Sequence, residues 1–374
     1  MLQAKHQEWL ALTLIILFLV GLSYFAPHVW DGENSAGKQA PEITKILSLK
    51  NTTEQSQELL KLLKRVGPIE AQEDLLHSGL PFTGETHLLV HTIGNYIYDT
   101  YKLDGLKYCK DYFLSACYHG FIINALGDYG LDGVAEAVKK CDETGPGVMA
   151  QCAHAAGHGF VAWHDYDLVK GAQMCDKLGS EVPNFPYFNC YDGVFMENIW
   201  GVHNGTPSEK RWIKEDDIYY PCDDPRIPEK YLGGCWSNQA TLIYQHFKGD
   251  LKKTAEACDK VENPIYQETC YNNLSRQIHP LTQGSVDKVM SLCTFATGNK
   301  WRDYCILTNM SAYWSVGDRN LPFQICNVLN NSLKSQCFER LISLINYHYK
   351  QDLENKKLYC GKISDITYKE KCLK

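Results

Sequence analysis

Apolar and polar positions fall into three regimes along this chain. Residues Trp9 to Ala26, WLALTLIILFLVGLSYFA, run for eighteen residues without a charge. At ~1.5 Å per residue a helix of that length reaches ~27 Å, just enough to cross a bilayer. From 27 to 53 no hydrophobic period holds; Gly, Asn, Ser, Pro and Thr are scattered through a polar stretch that reads as a tether. From Glu54 onward apolar residues recur at helical spacing, and no segment sustains an alternation of period two, so the rest of the chain is expected to be nearly all α. Leu59, Leu60, Leu62 and Leu63 mark an amphipathic helix ending at Gly67-Pro68, and Ile69 to His77 a second one closed by Gly79 and Pro81. These two, within 54–80, are expected to cap a repeat array.

The cysteines divide the remainder into repeats. All sixteen fall into pairs: Cys109 with Cys117, Cys141 with Cys152, Cys175 with Cys190, Cys222 with Cys235, Cys258 with Cys270, Cys293 with Cys305, Cys326 with Cys337 and Cys360 with Cys372. The second members recur after 35, 38, 45, 35, 35, 32 and 35 residues, a period suited to two-helix repeats. Each repeat reads as a helix ending near the first cysteine, a short loop, and a helix starting near the second. GLDGVAEAVKKC (130–141) followed by AQCAHAAGHGFVAW (150–163) shows the pattern, as does TAEACDKVENPIYQETCYNNLSRQI (254–278). The expected fold is an all-α solenoid over 81–374, one elongated domain with no internal boundary. Sixteen cysteines allow about two million pairings. Spacing favours bonds within each repeat, each closing a loop of roughly a dozen residues worth ~3 kcal/mol in the chain-entropy model. The 45-residue step contains ENIWGVHNGTPSEKRWIKEDDIYYPC, an insertion that is either a functional loop or a surface excursion.

Charge and cysteine usage set the expected topology. Lys5 and the terminal amine precede the apolar segment against Glu8, while Asp31 and Glu33 follow it, which puts 1–8 in the cytoplasm and translocates the rest. An uncleaved anchor over 9–26 is favoured because Pro27 suits the position after a cleavage site poorly; a cleaved signal peptide ending at Ala26 is the rival. An even number of regularly paired cysteines, none among the first 108 residues, fits an oxidising compartment, either periplasm or cell surface. No CxxC occurs, which argues against zinc-thiolate clusters. A net charge of −7 without a Lys/Arg run argues against nucleic acid as a partner. Asn51, Asn204 and Asn309 open sequons that would carry glycans in a eukaryotic host.

Aligned on the second cysteine, the repeats place His119, His154, Asp192, Ser237, Asn272, Leu307 and Glu339 two residues after it. One repeat upstream, ETHLLVHTIG fits the frame with Glu85 in the cysteine slot, His87 at +2 and His91 at +6, where His158 also stands. Positions i and i+4 share a helix face, and equivalent positions of stacked repeats line one surface. His87, His91, His119, His154, His158 and Asp192 should therefore form one stripe, with Glu197 one turn beyond. That set suits zinc, iron, manganese, copper or nickel. Gly94, Gly120, Gly157, Gly159 and Gly193 mark the same stripe and imply close helix packing or backbone approach to a ligand. A buried hydrogen-bond network is the competing account of the histidines. Convergence of their nitrogens within ~4–5 Å separates the two, since ligand bonds are ~2.0–2.1 Å each. His164, beside Asp165 and Asp167, is either a supporting group or a surface residue; His77, His203, His246, His279 and His348 have no companions in register and read as structural.

Catalysis is the third reading. A metal with an open position would activate water, with Glu197 or Asp192 as base, giving a hydrolase, and iron would give an oxygenase. No GxSxG, P-loop, HExxH or dinucleotide fingerprint supports another reaction.

The helix-pair array is similar in architecture to tetratricopeptide and Sel1-type repeats, without their consensus residues. HLLVHTIG, CYHGF, CAHAAGHG, CYDGVFMEN and YYPC resemble motifs of exported microbial proteins with no assigned activity. The first resemblance implies a protein-binding scaffold. In that alternative the Tyr- and Trp-rich repeats from Cys235 to Cys372 dock a protein or glycan, and the histidines only pack.

Overall fold

The computed structural model describes residues 41–76, 78, 84–110, 113, 115–144, 147–201, 209–295, 298–315, 318–349 and 352–374. The expected anchor over 9–26 and its flanks lie outside these residues, as do His77 and His203; among the described residues no helix is long and apolar enough to cross a membrane. Seventeen α-helices and no strand occur among them, so the all-α expectation holds.

The first helices are α1 (Pro41–Ser48), α2 (Thr52–Val66) and α3 (Pro68–Leu76). Helix α1 corrects the tether, which was expected to run unbroken to residue 53. Ile43, Ile46 and Leu47 stand at helical spacing, and Ile43 and Ile46 are buried in the core that α2 shares. Eight residues are too few to show a period by themselves, and the tertiary contact decides. The Asn51 side chain caps α2 by accepting from the Thr53 amide.

The series then continues with α4 (Gly84–Tyr101), α5 (Ala116–Thr144), α6 (Val148–Trp163), α7 (Leu168–Glu181) and α8 (Tyr187–Trp200). It ends with α9 (Glu229–His246), α10 (Leu251–Asp259), α11 (Pro264–Thr282), α12 (Val286–Leu292), α13 (Asn299–Ser315), α14 (Leu321–Val328), α15 (Asn331–His348), α16 (Leu353–Gly361) and α17 (Ile366–Leu373). Helix α5 is two helices joined at Gly130, whose φ of 60° and ψ of −145° suit only glycine. Asp167, Asp250, Asp352 and Asp365 cap α7, α10, α16 and α17 with their carboxylates. Helices α4, α5, α6, α8, α9, α11, α13, α15 and α17 each pack against the next of that series. The shorter α7, α10, α12, α14 and α16 pack against the members on either side.

Eight disulfides join the pairs that the spacing favours. Cys109 is bonded to Cys117, Cys141 to Cys152, Cys175 to Cys190 and Cys222 to Cys235. In the C-terminal half Cys258 is bonded to Cys270, Cys293 to Cys305, Cys326 to Cys337 and Cys360 to Cys372. Their Cα–Cα distances run from 5.4 to 6.5 Å, and no cysteine is free. Each bond ties the segment before a helix to that helix, so units with little core of their own are held covalently. In the same half the large aromatics divide between buried core positions and half-buried ones packed against the core. Trp314, Tyr271 and Tyr313 are almost fully buried, and Trp301 stacks on Tyr271 with centroids 4.1 Å apart.

Glycines set the closest helix approaches. A Cβ on Gly94 would lie 2.0 Å from the Cys117 carbonyl oxygen, and one on Gly120 2.3 Å from that of His91. The α6–α8 contact repeats this: Gly157 would meet the Cys190 oxygen at 2.0 Å and Gly193 the His154 oxygen at 2.0 Å. Of the two explanations for the glycine stripe, close helix packing accounts for these four. Gly159 instead faces the Leu126 side chain.

Candidate metal centre

The glycine contacts also fix the register of the histidines. In the α4–α5 pair Gly94 meets Cys117 and Gly120 meets His91; in α6–α8 Gly157 meets Cys190 and Gly193 meets His154. His91 is thus the counterpart of His154, two residues after the cysteine slot, and Asn95 that of His158. A polar contact between positions +6 and +7 confirms it. His158 Nδ1 lies 2.9 Å from Glu197 Oε2, Asn124 Nδ2 donates to Asn95 Oδ1 over 2.8 Å, and Gln277 Nε2 donates to Thr241 Oγ1 over 3.0 Å. The frame with Glu85 in the cysteine slot is therefore displaced by one helical turn. An HxxxH pair matches itself after a shift of four residues, and α4 has no cysteine to pin it.

In the corrected register, His91, His119, His154, Asp192 and Ser237 are the +2 residues of α4, α5, α6, α8 and α9, and they form a continuous row. Ring centroids lie 5.4 Å apart for His91–His119 and 5.4 Å for His119–His154; His154 Nδ1 is 3.0 Å from Asp192 Oδ2, and Ser237 Oγ donates to Asp192 Oδ1. His87 and His158 flank the row at −2 and +6. Two groups of three result, His87/His91/His119 and His119/His154/His158, the ligand atoms within each lying no more than 4.8 Å apart. His91, His119 and His158 are buried.

Hydrogen bonds show where the ring protons are. The Phe113 carbonyl can only accept, so His87 Nδ1 donates to it over 2.8 Å and Nε2 carries no proton in the neutral ring. That nitrogen stands 3.0 Å from His119 Nδ1. His158 donates from Nδ1 to Glu197, whose other oxygen accepts from Tyr166 Oη over 2.9 Å. His154 donates from Nδ1 to Asp192, whose second oxygen also accepts from Asn238 Nδ2 over 2.9 Å. The Nε2 atoms of His154 and His158, both unprotonated in the neutral rings, then face each other at 3.0 Å. A carboxylate behind each outer nitrogen and an unprotonated inner one is how metal-binding imidazoles are held.

Electrostatics favour a neutral His119 ring at the centre. Burial, then the neighbouring His87, His158, His91 and His154, pushes the His119 pKa well below the usual imidazole value. Burial alone would raise Asp192, but the hydrogen bond and charge of His154, then the Ser237 hydrogen bond and the Arg276 charge, hold it below the ordinary carboxylate value. Tyr166 is pushed up by burial and by Glu197, so it stays a donor.

Asp192 and Glu197 therefore stand behind His154 and His158, and neither belongs to a group of three. Glu197, the candidate base, is fully buried with both oxygens engaged. His164 ends α6 and takes no part in the cluster. Sequence reasoning missed Tyr166, two residues further on, along with Asn238 and the Phe113 carbonyl. That carbonyl sits in the loop closed by Cys109–Cys117. The insertion after α8 folds back on the site: Arg211 Nη1 donates to the Ile199 carbonyl over 2.6 Å, and Asn198 Oδ1 accepts from the Trp212 amide over 2.7 Å. Arg211 lies close enough to Tyr166 and Glu197 for their charges to act on it.

Fold and site together define an all-helical, disulfide-stapled protein with a histidine cluster able to hold a metal ion. No family model, curated protein or solved structure matches the chain.

Proposed function

We propose that this is an extracytoplasmic α-solenoid, held at a membrane by residues 9–26, that binds a transition metal through the histidine row of its N-terminal repeats. The observation carrying this reading is the approach of the His154 and His158 Nε2 atoms to 3.0 Å while their Nδ1 atoms are turned to Asp192 and Glu197. Two lone pairs at that distance repel unless a cation lies between them. Nitrogens bound to one ion at ~2.0–2.1 Å with angles of roughly 90–110° stand about 3.0–3.4 Å apart. A proton shared between them is the competing occupant, and metal content separates the two. With the carboxylates turned to the outer nitrogens, the inner donors are all imidazole, a set suited to zinc, copper or nickel ahead of manganese. The eight disulfides fit an oxidising compartment. Retention of the ion is favoured over hydrolysis, because both candidate bases face the outer nitrogens, Glu197 held between His158 and Tyr166 and Asp192 between His154, Ser237 and Asn238. The scaffold reading keeps only part of its surface, since Trp236, Tyr271, Trp301, Tyr313, Trp314, Phe323 and Phe338 are core residues while the other C-terminal aromatics stay half-exposed or exposed.

The test is elemental analysis of the full chain, exported through an oxidising compartment and purified in detergent without nickel resin or chelators. Stoichiometric metal in the wild type, lost in a folded His119→Ala/His158→Ala variant, is expected. A folded wild type that stays empty when offered zinc, iron, manganese, copper and nickel would sink the reading.

A further inference from the structure

His119 belongs to both groups of three, while the other four histidines belong to one each. One ion cannot use both nitrogens of a single ring, because their lone pairs point to opposite sides of it. The two nitrogens of His119 are also in different surroundings. Nδ1 faces His87 Nε2 at 3.0 Å, on the α4 side. Nε2 is buried and has no hydrogen-bond partner among the described residues. The His158 and His154 rings lie on the α6 side, with centroids 5.1 and 5.4 Å from that of His119.

We propose that the centre holds two ions, and that His119 bridges them as an imidazolate. Nδ1 of His119 joins His87 and His91 around the first ion; Nε2 of His119 joins His154 and His158 around the second. This rests on the metal reading above and adds number and arrangement to it. The step balances in protons. The neutral His119 ring gives its one N–H proton to water, and the two nitrogen lone pairs then each form one bond to an ion. Ligand bonds of ~2.0–2.1 Å on either side of the ring put the ions about 6 Å apart. The site suits the bridge, since the His119 ring stands between the His87/His91 and His154/His158 pairs and two dications compensate the anionic ring. The two flanking pairs come from different registers, −2 and +2 on α4 and +2 and +6 on α6, so each grips its own side of the +2 ring between them.

Copper(II) titration of the full chain in detergent, read by elemental analysis and electron paramagnetic resonance, tests this. Two coppers per chain are expected, with an integrated signal well under half of the copper found, because the two spins couple through the shared ring. His91→Ala and His154→Ala should each retain one copper at full signal intensity, with circular dichroism checking the fold. One copper per wild-type chain, or two that the signal accounts for completely, would overturn the bridge and leave metal binding intact. No copper and no zinc bound would remove the metal reading itself, a separate outcome.

Discussion

His279 on α11 lies outside the cluster, its ring centroid 4.4 Å from that of Tyr313 on α13, and burial pushes its pKa down to about 4. Its ordinary value is 6.5, so between pH 6.5 and 4 the unfolded chain binds a proton that the native state refuses. Stability from this residue is complete above 6.5 and falls as pH drops, by about 3 kcal/mol at pH 4. Denaturant unfolding at pH 7 and pH 4 should show that extra loss in the wild type and its absence in His279→Phe. Equal losses in both would refute it. The glycines make a second prediction. Gly157→Ala drives a Cβ to 2.0 Å from a backbone oxygen, whereas Gly127→Ala meets nothing within 4 Å. Thermal melts should show Gly157→Ala less stable by about 1–3 kcal/mol, and Gly127→Ala unchanged or more stable by up to about 1 kcal/mol. Sequence singled out Gly157 as part of the stripe; only the α8 backbone against it says why substitution is costly.

The helix pair is the next scale, and the disulfide is its main fastening. Cys258–Cys270 joins α10 to α11 across a separation of 12 residues. Replacing both with serine should cost about 3 kcal/mol, measured as a lowered melting temperature with the helical content kept. An undisturbed melt would mean that packing alone holds the pair. Helix pairs were legible because cysteine spacing and helical periodicity agree. Register within a pair was legible only where a cysteine marks it. In α5, α6, α8 and α9 the frame read from sequence is the frame observed, and Ser237, noted at +2, does meet Asp192. In α4 the same reading slid by one turn, since nothing in an HxxxH pair distinguishes one turn from the next.

At the scale of the molecule, the buried apolar side chains among the described residues form one cluster from α1 to the start of α9, a second around α9–α11 and a third around α12–α17. Coupling between distant units in such an arrangement passes only through neighbours. Metal binding should therefore stabilise unevenly. Zinc at a thousandfold excess over its dissociation constant adds about 4 kcal/mol to the unit that holds it. Hydrogen exchange with and without zinc should slow over residues 84–200 and stay unchanged over 321–373. Uniform protection along the chain would mean that it opens as one cooperative body.

Features that are local or periodic were written in the chain: helices from apolar spacing, disulfide partners such as Cys141 and Cys152 from a regular interval, and a polar stripe from residues standing two after successive cysteines in the N-terminal part. These depend on chain geometry within a few dozen residues, which spacing records. How those pieces meet was settled only in the folded molecule. Folding placed α1 against α2, turned Asp192 and Glu197 to the outer nitrogens, and brought Tyr166, Arg211 and the Phe113 carbonyl to the site. It also put His119 between two histidine pairs. Hydrogen-bond direction and the choice of inward-facing nitrogen depend on atoms that residues far apart in the chain bring together, and no local pattern encodes them.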